Sequence, residues 1–327
     1  MTLNVYFYPS ATILEPTELT DLLDENVLVT ISEELPDPAE YHVLINAFAT
    51  REQLEASPNL HTLITPFAGM IPDTLALMKE FPHVKPHNLP YNSVPTAETA
   101  LALVLGCSKF VALADRKLRQ NDWSIRYSEQ PQIVLRGKTV MILGYGRAGR
   151  HLAPIFHALG MRVLGVRSTV QAEDRADPHA TVHGTDELHD LLPRANVVVS
   201  TLPGTSETDG ILGAREFDLL PRNAIVVNVG RGSVLDEEAL YNALKDGKLG
   251  GAGIDVWYQY PRTVEARTNT APSRFPFHEL DNVIMSPHHA GWLGKEDGGR
   301  MPMLADMLNA AARGEPMPNS VNIERGY

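Results

Sequence analysis

The chain has 327 residues, 43% of them apolar and 21% charged, which is long enough for two domains with sizeable cores. A net charge of −12 with no long run of lysine or arginine argues against a nucleic-acid surface. The single cysteine, Cys107, excludes an intrachain disulfide framework and fits a reducing compartment; between Leu105 and Phe110 it reads as a buried thiol.

Met1 to Pro9 reads as a first strand and lacks the basic start and apolar core of a signal peptide. Residues up to about 90 alternate short apolar runs with helix-like segments. Strands are expected at Asn4–Tyr8, Val27–Ile31, His42–Ile45 and Thr62–Thr65, and helices at Glu15–Leu23, Arg51–Ala56 and Asp73–Glu80. This is the β-α-β order of a parallel sheet. Pro82, Pro86, Pro90 and Pro95 then break the chain into a short extended crossover. One long helix is expected from Thr96 to about Gln120. Its apolar part, Ala97 to Ala114, carries Glu98, Gly106 and Lys109, so it reads as a core helix rather than a membrane span. A cytosolic protein is expected.

From Gly137 the alternation is cleaner. Six strands are expected, at Thr139–Leu143, Arg162–Val166, Val197–Thr201, Ala224–Val229, Gly250–Val256 and Val283–Ser286. Helical segments fall at Arg147–Leu159, Asp186–Leu191, Ala214–Leu219 and Glu237–Lys245, which makes a doubly wound sheet. Pro154 lies inside the first of these helices and should kink it, at a cost of ~3 kcal/mol.

The first of these strands runs straight into Gly144-Tyr-Gly-Arg-Ala-Gly149. Gly144 permits a sharp turn off the strand. Gly146 lets a pyrophosphate approach the backbone, and Gly149 lets the helix pack against the sheet. The N–H groups at Arg147 and Ala148 begin a helix whose positive end suits phosphate. The next strand ends at Arg167-Ser168, 18 residues past Gly149, where an NAD site places an acid on the ribose. An arginine and a hydroxyl suit a 2′-phosphate instead, so NADP is expected over NAD. The alternative is a solvated arginine; the first carboxylate beyond, Glu173, lies too far along the loop.

Three further strand ends carry reactive side chains. Arg231, in Asn228-Val-Gly-Arg-Gly232, either takes a substrate carboxylate or forms a surface ion pair. His288, in Ser286-Pro-His-His-Ala-Gly291, is either a general acid or a structural histidine, one of twelve. His289 beside it invites a metal reading, but no cysteine or aspartate cluster accompanies the pair, and no metal is expected. Asp255, in Gly253-Ile-Asp-Val-Trp257, either holds the nicotinamide side of a cofactor or caps its loop.

The motifs from Gly144 to Gly291, with Val94-Pro-Thr-Ala-Glu98 and Thr201-Leu-Pro-Gly204, resemble the D-2-hydroxyacid dehydrogenases from about Leu60 to the C-terminus. The resemblance implies a Rossmann domain, residues 96–290, inserted into a flavodoxin-like α/β substrate domain, residues 1–95 plus 291–327. The helix at about Arg300–Arg313 would return to the first domain. It also implies a homodimer formed through the dinucleotide domain, and reduction of a small 2-oxo acid by NAD(P)H. By the resemblance, Arg231 binds the substrate carboxylate and carbonyl, and His288 is the proton donor. Backbone N–H groups of Ala68, Gly69 and Met70 would cradle the carboxylate. Leu202, Pro203, Thr208, Val229, Gly230, Asp255 and Gly291 would join the glycine loop, Arg167 and Ser168 around the cofactor. Substrate choice would rest on side chains such as Phe67, Met70, Tyr91 and Trp292.

One departure concerns the histidine. Such proteins commonly pair it with a glutamate five residues past the aspartate, a position that here holds Tyr260, with Gln259 beside it. The stretch from Asp255 to His288 is also longer than usual. Its Glu279, before Glu265, is the expected substitute. The missing glutamate keeps two other readings open: a non-catalytic dinucleotide sensor on the same fold, and a dehydrogenase of a small anion such as formate or phosphite.

Overall fold

The computed structural model describes residues 2–9, 17–128, 132–293 and 299–327. They form two compact units, Met1–Asn92 with Trp292–Tyr327, and Ser93–Gly291.

The first unit opens with β1 (Leu3–Phe7), α1 (Thr17–Thr20), β2 (Val27–Ile31) and β3 (Val43–Ile45). It continues through α2 (Arg51–Ala56), β4 (Thr62–Thr65), α3 (Pro72–Met78) and β5 (Lys85–Asn88). The parallel sheet has the order β2-β1-β3-β4-β5, the flavodoxin-like winding. Residues 15 and 16 of the expected first helix lie outside the described residues, and α1 ends at Thr20, short of Leu23. Thr50 starts α2 with a full capping box: its side chain accepts from Gln53 N, and the Gln53 side chain accepts from Thr50 N.

β5 is a strand where the prolines pointed to a crossover. It is the edge strand, and Pro86 is tolerated there because its missing N–H faces away from β4. On that outer side the Pro86 carbonyl accepts from Val321 N, and Asn88 N donates to the Asn319 carbonyl. The C-terminal segment therefore covers the edge.

The second unit begins with α4 (Ser93–Lys109) and α5 (Val111–Leu118). The single long helix expected from Thr96 to Gln120 is thus two, bent by 63° at Phe110, whose φ of 53° is left-handed and cannot continue a helix. No single helix among the described residues is long and apolar enough to cross a membrane. α4 lies against the sheet instead, so close that a Cβ at Gly253 would meet Leu103 and one at Gly106 would meet Ile284. Cys107 on α4 is buried, and desolvation pushes its thiol to about 12, which makes it inert.

Then follow β6 (Thr139–Leu143), α6 (Arg147–Ala158), β7 (Arg162–Arg167), β8 (Thr181–Gly184), α7 (Leu188–Leu191) and β9 (Val197–Ser200). The unit closes with α8 (Ala214–Leu219), β10 (Ala224–Asn228), α9 (Glu237–Lys245), β11 (Leu249–Ile254) and β12 (Val283–Met285). All seven strands are parallel, in the order β12-β11-β10-β9-β6-β7-β8. Strand order reverses between β6 and β9, and ligands of open α/β sheets bind outside the carboxyl ends at such a point. Every residue of β6, β9 and β10 is buried, as expected of strands covered on both faces. Each buried valine, leucine or isoleucine there contributes roughly 1.5–3 kcal/mol. β8 is the strand that six expected strands left out: an edge strand whose only apolar residue is Val182. Helix α6 runs through Pro154 without ending there.

The chain then returns to the first unit as α10 (Arg300–Ala312), whose Met301, Leu304, Ala305 and Leu308 share a core with Val5, Phe7 and Leu19.

Candidate active site

In the second unit the glycine loop has the three properties expected of it. Gly144 has a φ of +100°, and a Cβ there would press on Thr201 Oγ1 and Leu202 N. Gly149 faces the Gly144 carbonyl and Ile142 too closely for any side chain. Gly146, the N-cap of α6, opens onto empty space, so a pyrophosphate can approach the backbone and helix terminus there. These residues fit a dinucleotide. Thr201 at the end of β9 ties the loop down by donating to the Gly144 carbonyl at 2.6 Å. Pro203 accepts from the buried Thr208 hydroxyl at 2.6 Å, which fixes the Leu202–Thr208 turn.

Arg231 follows β10 in extended conformation. Both flanking glycines are dictated by backbone on either side: a Cβ at Gly230 would lie 2.4 Å from the Leu202 carbonyl oxygen, and one at Gly232 would lie 2.3 Å from that of Trp257. The fully buried Asn228 staples the turn, accepting from Gly230 N at 3.1 Å and donating to the Arg231 carbonyl at 2.9 Å. The guanidinium donates to the Gly230 carbonyl at 2.8 Å. No salt bridge engages Arg231 among the described residues, and the surface-pair alternative has no partner there. Arg231 is exposed to solvent at its surface, yet the protein packed around it still desolvates the guanidinium and lowers its pKa, with the nearby Tyr260 pulling the other way.

His288 sits past β12 at a φ of 56°, an uncommon conformation for any residue with a side chain. Asp255 imposes it. Its fully buried carboxylate accepts from the Ser286 hydroxyl, from His289 N at 3.0 Å and from Ala290 N at 3.0 Å. Capping the loop accounts for every hydrogen bond the Asp255 carboxylate makes among the described residues. Trp257 Nε1 adds a bond to the Ser286 carbonyl at 2.8 Å. The two histidines are therefore held differently. His289 turns back, its Nδ1 3.0 Å from Ser286 Oγ and 3.6 Å from Asp255. His288 faces the Tyr260 ring, with centroids 5.4 Å apart, in the field of Arg231. Desolvation lowers its pKa below the ordinary 6.5, the Arg231 charge lowers it further, and Asp255 opposes both.

The expected carboxylate partner from the insertion is absent. Glu279 is exposed and, among the described residues, its carboxylate approaches only His278, at 3.9 Å, while Glu265 bonds within its own turn. The reason is that the insertion is fastened elsewhere. Ser273 and Arg274 are bound by Glu237 of α9, at 2.8 Å and 2.7 Å, and Pro272 accepts from Tyr258 N and Gln259 N. Tyr260 thus fills the place beside His288, its hydroxyl accepting from Trp257 N at 3.0 Å.

At the end of β7, Arg167 is partly buried and paired rather than free in solvent. It donates to Asp174, a carboxylate one residue beyond Glu173, because a short 3-10 turn over Glu173–Ala176 folds Asp174 back beneath β7. Spacing alone carries no sign of that turn.

In the first unit, Ala68, Gly69 and Met70 follow the carboxyl end of β4. Asn88 Nδ2 donates to the Ala68 carbonyl at 2.8 Å, which holds the loop to β5. Nearby, the buried Arg300 stacks over the Tyr91 ring at 4.3 Å and lies 5.7 Å from that of Phe67.

Residues 101–290 match the family model of the D-isomer specific 2-hydroxyacid dehydrogenase NAD binding domain, more than half of the chain. Among curated relatives, a glyoxylate reductase of Korarchaeum cryptofilum is 34% identical over 233 residues, 70% of this chain and 66% of that protein. A D-3-phosphoglycerate dehydrogenase of Methanocaldococcus jannaschii is 30% identical over 232 residues, 71% of this chain, and the match spans 42% of that longer protein. A D-isomer specific 2-hydroxyacid dehydrogenase from Xanthobacter autotrophicus, solved with NADPH and MES, aligns over 100% of both chains with a TM-score of 0.81 and 26% identity. With the glycine loop, the Arg231 turn and the His288 turn at one end of one sheet, this chain belongs to the D-isomer specific 2-hydroxyacid dehydrogenase family.

Proposed function

We propose that the protein reduces a small 2-oxo acid, of the glyoxylate or hydroxypyruvate class, to the 2-hydroxy acid. The observation that carries this reading is the pairing of Arg231 and His288 within each other's field at the carboxyl end of the sheet that bears the dinucleotide loop. A bound nicotinamide cofactor supplies the hydride. Arg231 holds the substrate carboxylate bidentately and polarises the carbonyl, while His288 protonates the forming alkoxide. The Ala68–Met70 loop is proposed as a further carboxylate contact. Steady-state NADPH oxidation against a panel of 2-oxo acids tests the reading, and an activity confined to reduction of NAD(P)+ by formate or phosphite would replace it.

The pH dependence follows from His288. Reduction needs the protonated imidazole, and its pKa lies below 6.5 in the free protein. kcat/KM for reduction is therefore expected to plateau at acid pH and to fall as pH rises through a value below 6.5. Tyr260→Glu supplies the carboxylate that stabilises the imidazolium, so the falling limb should move to higher pH. An unmoved limb in that variant would show that another group titrates.

NADPH is proposed as the preferred cofactor. Arg167 and Arg150 set two guanidiniums against the one buried carboxylate of Asp174 beside the expected ribose position. A charged hydrogen bond of about 1.5–3 kcal/mol gives ~10-fold to ~100-fold discrimination in kcat/KM. Arg167→Asp should invert it. A wild-type preference for NADH would overturn the proposal.

We also propose a homodimer formed through the second unit. Val111, Leu118, Trp123, Tyr127 and Val134, on and just after α5, are large apolar side chains left exposed in the single chain. Sedimentation equilibrium should return twice the chain mass; a monomer at micromolar concentration would refute it.

A further inference from the structure

Asp174 is folded back onto Arg167, at the strand end where an NAD-preferring site would place an acid for the ribose, yet it is built to do something else. Its side chain is fully buried, and four hydrogen bonds occupy both oxygens. Arg167 Nη1 donates to both, at 2.9 Å and 3.2 Å; Arg150 Nη2 donates to Oδ1 at 2.5 Å and Gln171 N to Oδ2 at 2.8 Å. A carboxylate so saturated and so enclosed has no lone pair to offer a ribose hydroxyl.

The donors come from the two elements that frame a dinucleotide in this fold. Arg150 lies in the first turn of α6, directly after the glycine loop, and its guanidinium stacks over the Tyr145 ring at 5.5 Å. Tyr145 in turn donates to Asp177 at 2.8 Å. Arg167 ends β7. Its bonds to protein among the described residues run through Nη1 alone, which leaves the Nε–Nη2 edge, the side-on fork that binds phosphate bidentately. An arginine loses much rotamer freedom when it closes on a ligand, and one already fixed loses less.

We propose that Asp174 is a positioning residue for cofactor discrimination: it fixes Arg167 from beneath, braced by Arg150, with the Nε–Nη2 edge kept for the 2′-phosphate of NADPH. This rests on the NADPH reading above. It assigns the specificity to a buried acid that itself never touches the cofactor.

The test is the Kd from fluorescence titration without substrate, together with kcat/KM, each with NADPH and with NADH, for the wild type, Asp174→Asn, Arg167→Ala and the double variant. Asp174→Asn keeps the shape and removes the charge. It should lower the NADPH:NADH ratio about 10-fold, mainly through the KM for NADPH, and should have no effect on the ratio in the Arg167→Ala background. If Asp174→Asn does not fold, Asp174→Glu keeps the charge but displaces the guanidinium by a methylene, and the same fall in ratio is expected. Equal losses with both cofactors, or a shift in ratio that persists without Arg167, would overturn the proposal and leave the NADPH reading standing. A wild type that prefers NADH would overturn both.

Discussion

Arg231→Ala should lower kcat/KM for every 2-oxo acid by orders of magnitude while NADPH affinity changes little. The guanidinium is the charged group at the end of β10; its turn is stapled by Asn228 and closed in by backbone at Gly230 and Gly232, and the guanidinium itself donates to the Gly230 carbonyl. Losing a bidentate charged bond to the substrate costs roughly 2–5 kcal/mol of transition-state binding, by analogy with buried charge pairs. Arg231→Lys should recover only part of this, because an ammonium cannot serve carboxylate and carbonyl in one plane. Binding of NADPH, followed by its fluorescence, separates this loss from a collapse of the cofactor site. Unchanged turnover in Arg231→Ala would remove the proposed active site.

The second large effect separates two adjacent histidines. His288→Ala should abolish most turnover, since a positioned general acid contributes typically 10²–10⁴-fold. His289→Ala should cost far less. The structure sharpens the contrast, because the histidine nearer a carboxylate is His289, 3.6 Å from Asp255, whereas His288 faces Tyr260 and Arg231. If the carboxylate neighbour decided the matter, His289 would be the acid. In the proposed mechanism the deciding factor is proximity to Arg231, and so to the substrate carbonyl. Comparable loss in His289→Ala with His288→Ala active would reverse the assignment.

Much of this site is legible in sequence because it is built from backbone demands. Gly149 and Gly230 have no room for a Cβ, and strands such as Thr139–Leu143 are continuously apolar because both faces are covered. Such constraints act on residue type at fixed spacing, where a pattern of residues can reveal them. What sequence hides depends on non-local events. Pro86 reads as a breaker because nothing marks its strand as an edge covered by Val321. Phe110 gives no sign of a left-handed φ, so two helices read as one. Glu279 is closer in sequence to His288 than any other glutamate of the insertion. The insertion, however, is tied to Glu237 of α9, a link between residues 36 and 37 positions apart. Asp174 is hidden for the same kind of reason, since a single 3-10 turn brings it back to Arg167.

If Arg231 and His288 make this chain a reductase of small 2-oxo acids, the most direct test is the rate of NADPH oxidation with saturating glyoxylate or hydroxypyruvate. It is measured for the wild type, Arg231→Ala and His288→Ala. Turnover is expected in the wild type and its loss in both variants, each still binding NADPH. A wild type that binds NADPH yet oxidises it no faster than buffer with any 2-oxo acid would contradict the proposed function, and would leave a dinucleotide sensor on this fold.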